Sequence, residues 1–262
     1  MKGLICLLCA LALDYSLAAD WGYDQQGNDW PDSYEMCYDG GYSHQTPINI
    51  VTGEAVRNDL LVPFQFSSSW LDDVADGLIS NNGHTFQFSD NDGTRKVSGG
   101  GLDGTYTFLQ VHFHYGSSDS YGSEHFRDGF QYPAEVHFVT INNAFQTGQV
   151  GRLAVLGFFI EIGERDSELF GPIISQISEV QDYNTANNAS KDNVINFGAL
   201  TRLDLDHYFR YYGSLTTPPC SPVVVWTMFK KPLYISESQY DQLLTMTDGD
   251  GAAIENNFRR LM

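Results

Sequence analysis

Basic residues are scarce in this 262-residue chain, in which 14 lysines and arginines stand against 33 aspartates and glutamates. The formal net charge is therefore −19. Because phosphate backbones and anionic lipid headgroups repel such a chain, the charge argues against nucleic acid and anionic membranes as partners. Weak association of calcium with the acidic surface stays open, although a charged surface that only keeps the protein soluble is the simpler interpretation.

The sequence also lacks an apolar run long enough to span a membrane. Its most apolar stretch, 4–13, follows a basic start and precedes small residues, which predicts a secretory signal peptide over 1–18. A buried N-terminal helix is the alternative interpretation of the same stretch. The sequence shows no apolar C-terminal tail for a lipid anchor, so we expect a secreted protein with no membrane anchor.

Cysteine is equally sparse: the chain has four, and two of them, Cys6 and Cys9, lie in the predicted signal peptide. The remaining pair, Cys37 and Cys220, predicts one disulfide in an exported protein, which would contribute roughly 4–5 kcal/mol in the chain-entropy model. The sequence contains one N-glycosylation sequon, which begins at Asn188 and predicts a glycosylated surface position in a secreted protein.

Strand signals outnumber helix signals along the chain. Short apolar or alternating segments are separated by clusters of glycine, asparagine, aspartate and serine, as in β-rich domains. The predicted strands are 61–66, 84–88, 106–115, 135–142, 153–160 and 223–228. The predicted helices are 167–179 and 236–245, and 181–192 is the expected long loop. Because no repeat or linker marks a second domain, we expect residues 19–262 to form one strand-rich domain.

Three histidines are placed to meet on one face of the predicted sheet. His112 and His114 are two residues apart in the predicted strand 106–115, so both side chains point to the same face. His137 follows in the next predicted strand, after enough residues for the chain to return beside the first. A single buried histidine is most often an ordinary core residue, whereas three that converge without a fourth protein ligand suit a catalytic zinc with water in the open position.

Two polar residues accompany these histidines on the same face. Gln110 precedes His112 by two residues, and Glu135 precedes His137 by two. Each is placed to accept a hydrogen bond from the ring N–H that faces away from the metal, which fixes the tautomer and orients the ligand. An apolar core has no use for such groups, because an unpaired buried polar group costs about 1–3 kcal/mol. The pattern therefore favours a metal site over core packing.

Seven longer motifs carry a resemblance to a known family. They are 45–50 (QTPINI), 81–84 (NNGH), 112–116 (HFHYG), 122–125 (GSEH), 134–137 (AEVH), 153–157 (LAVLG) and 213–220 (GSLTTPPC). The sequence resembles the alpha-class carbonic anhydrases from about Trp21 to Arg259, and Cys37 and Cys220 match the disulfide positions of exported members. The resemblance implies a single mainly β or α+β domain, with a large, mostly antiparallel twisted sheet flanked by short helices.

The resemblance also implies a reaction, the reversible hydration of carbon dioxide to bicarbonate and a proton. Three histidines hold Zn²⁺, which activates water as hydroxide, and carbonic anhydrase is the standard example of this chemistry. Thr216 matches the threonine that accepts a hydrogen bond from the zinc-bound hydroxide, and Glu124 matches the glutamate that accepts the threonine's proton. By themselves these two would be a turn residue before a proline pair and a surface carboxylate.

Further matches to the family imply which residues line the substrate pocket and which transfer the product proton to solvent. The residues expected to line the substrate are Val139, Val155, Leu215, Thr216, Thr217 and Trp226, although core packing explains any apolar one of them taken alone. His84 matches the histidine that passes the proton to buffer, since an imidazole takes up and releases protons near neutrality. Without the resemblance, His84 is a loop-edge histidine with no role. The polar residues expected along the proton path are Tyr23, Asn82 and Gln87.

The sequence departs from the family at a few positions. Tyr115 stands where tryptophan is common, Gln87 replaces a common asparagine, and members usually continue further beyond the match that ends at Arg259. His125 matches a buried structural histidine, whereas His44 and His207 match no assigned role. The alternative function is a catalytically silent extracellular binding protein of the same fold. An additional role in extracellular bicarbonate supply or carbonate mineralisation is motivated only by the charge and the predicted secretion.

Overall fold

A computed structural model describes residues 21–38, 40, 44–59, 61–72, 77–188 and 197–262. The predicted signal peptide and the serine of the sequon lie outside these residues. In the described part of the chain the strands are β1 Asn49–Ile50, β2 Phe64–Phe66, β3 Gly77–Asn81, β4 Phe86–Asp90, β5 Lys96–Gly99, β6 Tyr106–Tyr115, β7 Phe126–Arg127, β8 Phe130–Gln131, β9 Ala134–Ile141, β10 Leu153–Gly163, β11 Thr185–Asn188, β12 Tyr208–Gly213 and β13 Val224–Ser236.

Helical structure is short and scattered between the strands. The α-helices are α1 Gly171–Ile174, α2 Phe197–Leu200 and α3 Glu237–Leu243. Turns of 3-10 helix lie at Trp30–Asp32, Glu35–Cys37, Thr52–Glu54, Ser68–Leu71 and Ile177–Glu179. None of the helices among the residues described is long and apolar enough to cross a membrane.

Ten strands form one large sheet in the order β11-β3-β4-β6-β9-β10-β13-β12, and β5 pairs with both β6 and β2 beside this row. Its pairings are antiparallel except for that of β10 with β13. A small second sheet has the order β1-β7-β8. The expected fold class, a single domain with a large and mostly antiparallel twisted sheet, is confirmed.

The predicted strands are confirmed most closely in the centre of the sheet, at β6, β9 and β10. Two predictions at the periphery were wrong. The expected loop 181–192 contains β11, a polar edge strand whose Asn187 pairs with Ile79 of β3, and its polar sequence carries no apolar alternation that could reveal the pairing. The predicted strand 223–228 is too short, because β13 continues alongside β10 as far as Ser236.

The predicted helices are confirmed only as shorter elements. The segment 167–179 contains α1 and a separate 3-10 turn instead of one helix. Both pieces bury isoleucines, at positions 173, 174 and 177, so packing against the sheet replaces helix length as their source of stability. The second predicted helix is α3, which begins with a capping box between Ser236 and Gln239.

The two faces of the large sheet meet different surroundings. On β6, Val111, Phe113 and Tyr115 point into the main core, which also contains the buried apolar residues of the three α-helices. The alternate residues of β6 and β9, including the three histidines, point to the opposite face, where a second apolar cluster lies beside them. The site is therefore built on a face whose backbone is held rigid by the core behind it.

Candidate metal centre

The three histidines meet because two neighbouring strands are paired in one register. His112 of β6 lies directly opposite His137 of β9, and His114 lies opposite Glu135. His114 and His137 are buried, and His112 is half-buried. His112 Nε2 and His137 Nδ1 are 3.3 Å apart, and one ring nitrogen from each of the three residues lies within 4.8 Å of the others. The structure thus brings together the three predicted ligands.

The other ring nitrogen of each histidine is held by a hydrogen bond. His112 Nδ1 donates to Gln110 Oε1 at 2.8 Å, and His137 Nε2 donates to Glu135 Oε1 at 2.5 Å. His114 Nδ1 donates to the backbone carbonyl of Asn257 at 2.7 Å. Each imidazole therefore turns an unprotonated nitrogen towards the common centre. The two side-chain acceptors lie where the sequence pattern placed them, but the Asn257 carbonyl gives no side-chain signal and comes from a distant part of the chain.

The Glu135 carboxylate accepts hydrogen bonds from two histidines. Besides His137, its carboxylate accepts from His125 Nδ1 at 2.6 Å and from the His125 backbone N–H at 2.8 Å. His125 Nε2 bonds in turn to the Tyr211 hydroxyl at 2.6 Å. Although burial raises the pKa of Glu135, its electrostatic interaction and hydrogen bond with His125, and then the hydrogen bond from His137, hold that pKa below its ordinary value. His125 is thus a buried part of the scaffold behind the site.

The electrostatics favour neutral imidazoles. Burial, and then repulsion by the neighbouring rings, lower the pKa of His112 well below its ordinary value and that of His114 to about 3. Burial also lowers the pKa of His137, against the opposing effect of Glu135. Metal ions bind the neutral form of imidazole, so all three side chains are in the binding form at neutral pH without a protonation change.

The donor set fits a zinc ion. His114 Nε2 is buried and has no hydrogen-bond partner among the residues described, which is costly for a polar atom unless a metal satisfies it. Two nitrogens bound tetrahedrally to Zn²⁺ at about 2.0–2.1 Å lie about 3.3 Å apart, which matches the separation of the nearest pair here. Three neutral imidazoles with no cysteine are the ligands of catalytic rather than structural zinc.

Glu124 and Thr216 lie beside the histidines and are both buried. Glu124 Oε1 is 3.6 Å from His114 Nδ1 and accepts the Arg259 backbone N–H at 3.3 Å. Burial and the neighbouring Glu135 raise the pKa of Glu124 well above its ordinary value, while hydrogen bonds from the Thr216 hydroxyl and the Arg259 amide oppose the rise. Glu124 is therefore not the surface carboxylate that it would be without the family resemblance.

The predicted apolar residues form one wall next to the histidines. Val139 lies opposite Val155, and Val155 lies opposite Trp226, on three adjacent strands. These residues and Leu215 belong to the same cluster, in which Leu215 remains half-buried. The Trp226 ring is 4.8 Å from the His137 ring. The apolar surface thus borders the three histidines directly.

The disulfide holds the loop that carries the two threonines. Cys37 and Cys220 are bonded, as predicted. The Cys220 backbone N–H donates to the Thr217 carbonyl at 2.8 Å, and the Gln45 side chain donates to the Cys220 carbonyl at 3.1 Å. This ties the N-terminal region of the chain to the loop next to the site.

His84 lies on a turn at the edge of the site and is half-buried. Its ring stacks on Trp21 with centroids 3.7 Å apart, and the Tyr23 ring lies 6.3 Å away. Trp21 was not among the predicted site residues, because a stacking partner so distant in the chain leaves no local pattern. Asn82 Oδ1 accepts the backbone N–H groups of His84 and Thr85, so its side chain shapes this turn.

The remaining polar residues of the predicted proton path have different surroundings. Gln87 lies opposite His112 in the sheet, and its side chain donates to Ser89 Oγ at 3.0 Å. Burial, followed by the charge of Glu124, raises the pKa of the Tyr23 hydroxyl well above its ordinary value, so it stays protonated. Tyr23 is therefore a hydrogen-bonding group and not an acid under ordinary conditions.

Comparison with known proteins agrees with the motif resemblance. A sequence model of the family described as eukaryotic-type carbonic anhydrase matches residues 25–262. A putative carbonic anhydrase 3 of Caenorhabditis elegans is 34% identical over 251 residues, which cover 93% of this chain and 94% of that protein. Carbonic anhydrase 7 of Homo sapiens is 34% identical over 253 residues, covering 91% and 92% respectively.

A third relative has a longer chain of its own. Carbonic anhydrase 4 of Oryctolagus cuniculus is 34% identical over 251 residues, which cover 90% of this chain and 79% of that protein. The family match over residues 25–262 includes both sheets and the three histidines. The chain therefore belongs to the eukaryotic-type carbonic anhydrases, a family of carbonate dehydratase enzymes.

Proposed function

We propose that the protein catalyses the zinc-dependent, reversible hydration of carbon dioxide to bicarbonate and a proton, with the metal on His112, His114 and His137. The observation that carries this proposal is the convergence of three unprotonated ring nitrogens, of which His114 Nε2 is buried without a partner in the described part of the chain. Family membership supports the same reaction.

Zinc, when bound, supplies a Lewis acid that lowers the pKa of water and so provides hydroxide near neutral pH. The protein must hold the ion with its charge undiminished, and neutral imidazoles do this because they add no negative charge. Gln110, Glu135 and the Asn257 carbonyl fix the three rings so that no reorientation is needed on binding.

Thr216 and Glu124 are proposed to orient the attacking oxygen. The Thr216 hydroxyl is close enough to Glu124 to affect its pKa, and with its proton turned towards that carboxylate its oxygen is left to accept a hydrogen bond from the nucleophile. That bond sets the direction of the remaining lone pairs, which is a positioning effect. The Arg259 amide and the charge of its side chain oppose the rise in the pKa of Glu124 that burial and Glu135 cause.

The apolar wall is proposed to receive carbon dioxide. The substrate has no net dipole and gains little from polar partners, so a surface of Val139, Val155, Leu215 and Trp226 beside the ligands suits it. Thr217, next to Thr216 on the same loop, is proposed to complete this surface.

His84 is proposed to carry the product proton to buffer. It stands at the rim of the site, partly open to solvent, on a turn with its own hydrogen bonds. Tyr23, Asn82 and Gln87 are proposed to order the water between it and the centre. A rim position allows the ring to exchange protons with both the interior and bulk solvent.

The direct test is stopped-flow measurement of carbon dioxide hydration together with metal analysis on the same purified sample. We expect one zinc per chain and hydration far above the buffer rate, lost on chelation and in His112→Ala. A fully zinc-loaded protein with no activity above buffer would refute the proposal and favour the silent binding protein. The presence of all three histidines at one site argues against that alternative.

We also propose that residues 1–18 are a signal peptide, that 19–262 are the mature secreted domain and that Asn188 is glycosylated. The disulfide supports export, because such bonds persist in oxidising compartments. Asn188 ends the edge strand β11, opposite Leu78. Expression in secretory cells should release protein that begins near residue 19 and loses mass with a glycosidase, whereas Asn188→Gln should show no such loss. Retention inside the cell with an intact N-terminus would contradict export.

A further inference from the structure

Asn257 occupies the place that a neighbouring strand would otherwise fill beside the metal-ligand strand. The pairing of β4 with β6 ends where Gln87 lies opposite His112. Beyond that point the chain before β4 turns away towards His84, and the C-terminal segment lies along β6 instead. Asn257 is fully buried there, and its backbone N–H donates to the Tyr115 carbonyl at 3.2 Å.

The side chain of Asn257 makes three hydrogen bonds. Its Oδ1 accepts the Tyr115 backbone N–H at 2.6 Å. Its Nδ2 donates to the Phe113 carbonyl at 3.0 Å and to the His84 carbonyl at 2.9 Å. These bonds are distinct from the one in which the Asn257 backbone carbonyl accepts from His114. The side chain therefore joins the turn that carries His84 to the strand that carries two of the ligands.

Other bonds also shape this turn, and those of Asn81 do not reach the strand that carries His112 and His114. Asn81 Oδ1 accepts the Gly83 N–H, and Asn81 Nδ2 donates to the carbonyls of Gln181 and Thr247. These contacts anchor the turn to the outer edge of the sheet. Thr85 adds a bond from its hydroxyl to the Phe113 carbonyl at 2.5 Å. Asn257 differs in that its amide bonds His84 itself and the two residues that flank His114.

We propose that the Asn257 side chain is a positioning residue that sets the distance between His84 and the metal centre, and thereby the rate of proton transfer. The proposal rests on the proposed function. Transfer between fixed groups through ordered water depends steeply on their spacing, and a misplacement of about 1 Å can cost about 100-fold in rate. Because the Asn257 amide bonds both the turn of His84 and the strand of His114, it restricts changes in the distance between them.

The test is a double-mutant cycle between Asn257→Ala and His84→Ala in zinc-loaded protein, with kcat and kcat/KM for hydration measured in weak buffer. We expect Asn257→Ala alone to lower kcat about tenfold, part of the loss that misplacement can cause, with kcat/KM and zinc affinity changed less than about twofold. In the His84→Ala background the same substitution should lower kcat no further, because it acts through His84. Imidazole buffer should restore kcat in Asn257→Ala.

Two further variants keep the result interpretable. Asn257→Asp retains the acceptor for Tyr115 but loses the Nδ2 donor, so it should reproduce the kcat defect if Asn257→Ala fails to fold. Asn256→Gly is the matched control: this neighbour accepts the Ser117 N–H at 3.0 Å and has a positive φ of 54° that glycine adopts easily. Its kcat should equal that of the wild type.

The outcomes separate this inference from the proposed function. Wild-type protein without activity refutes both. Active wild type with an unchanged kcat in the folded Asn257 variants refutes only the positioning role. A further loss in the His84→Ala background, or a parallel fall in zinc affinity and kcat/KM, shows that the side chain supports the fold of the site in general, and overturns the inference.

Discussion

Replacing Glu135 with glutamine should test the hydrogen-bonded support of the metal site most directly. The change removes one charge and almost no volume. In the native structure the carboxylate only accepts: Oε1 takes the ring N–H groups of His137 and His125, and Oε2 takes the His125 backbone N–H. An amide has one accepting oxygen and one donating NH₂, so it cannot satisfy all three donors.

Both orientations of the glutamine amide have a defect. If the amide oxygen takes the Oε1 position, the NH₂ group faces the His125 backbone N–H and two donors oppose each other. If the amide turns over, the NH₂ faces the two imidazoles, and His137 must move its proton to Nδ1, the nitrogen that faces His112 Nε2. The first orientation mainly lowers stability, whereas the second removes a metal ligand.

The expected loss of zinc affinity follows from these alternatives. Removing a hydrogen-bond partner of a ligand histidine typically costs about 10- to 100-fold in metal affinity, which is about 1.4–2.7 kcal/mol. Because either orientation leaves a defect, we expect Glu135→Gln to lose zinc affinity within this range if the amide turns over. If it does not, we expect a loss of about 1–3 kcal/mol in the free energy of unfolding from the unpaired donor.

The assay is competitive titration of zinc against a chelator of known affinity, combined with chemical denaturation of the metal-free protein. Glu54→Gln, at a residue exposed to solvent, makes the same chemical change away from the site and should leave both quantities unchanged. If Glu135→Gln keeps a zinc affinity within about twofold of the wild type and loses less than about 1 kcal/mol in the free energy of unfolding, neither orientation has its expected defect, and the reasoning is refuted.

Three further outcomes are expected. Replacing Cys37 and Cys220 with serine should lower the free energy of unfolding by up to about 5 kcal/mol, because the bond closes a separation of 183 residues; an unchanged denaturation midpoint would contradict this. The metal-free protein should lose stability as the pH falls from about 6.5 towards about 3, because burial lowers the pKa of His114 to about 3 while the unfolded chain takes up that proton near 6.5. The expected slope from this residue is about 1.4 kcal/mol per pH unit, and stability that stays constant over this range, measured by denaturant titration, would show that the rings are already charged when folded. His84→Ala should lower kcat about 100-fold, at the lower end of general acid–base effects, without changing zinc affinity, and imidazole should rescue it; a wild-type kcat in weak buffer removes His84 from the proton path.

The centre of the sheet and the shared face of its histidines were predictable because they depend on local periodicity. Alternation along β6 and β9 places His112, His114 and His137 on one face, and the same period of two places Gln110 and Glu135 beside them. The structure agrees with each of these placements. The longer motifs predicted the family, and the comparisons with known proteins confirm it.

The periphery was less predictable because its structure depends on distant partners. The strand β11 has a polar sequence and exists through its pairing with β3. The stacking of Trp21 on His84 and the burial of Arg259, whose guanidinium donates to the Cys37 carbonyl at 2.8 Å, both join segments far apart in the chain. Such contacts leave no pattern within a short window of sequence.

The sequence by itself determined which atoms are available to a metal, since residue type and a period of two decide which side chains share a face of a strand. Tertiary structure alone decided how those atoms are aimed. His114 is oriented by the Asn257 carbonyl, whose position depends on how the C-terminal segment packs against β6. The register of β6 and β9, in which His112 lies opposite His137, is likewise a property of the assembled sheet. Composition limits the chemistry of the site, but packing between distant segments fixes the distances on which that chemistry depends.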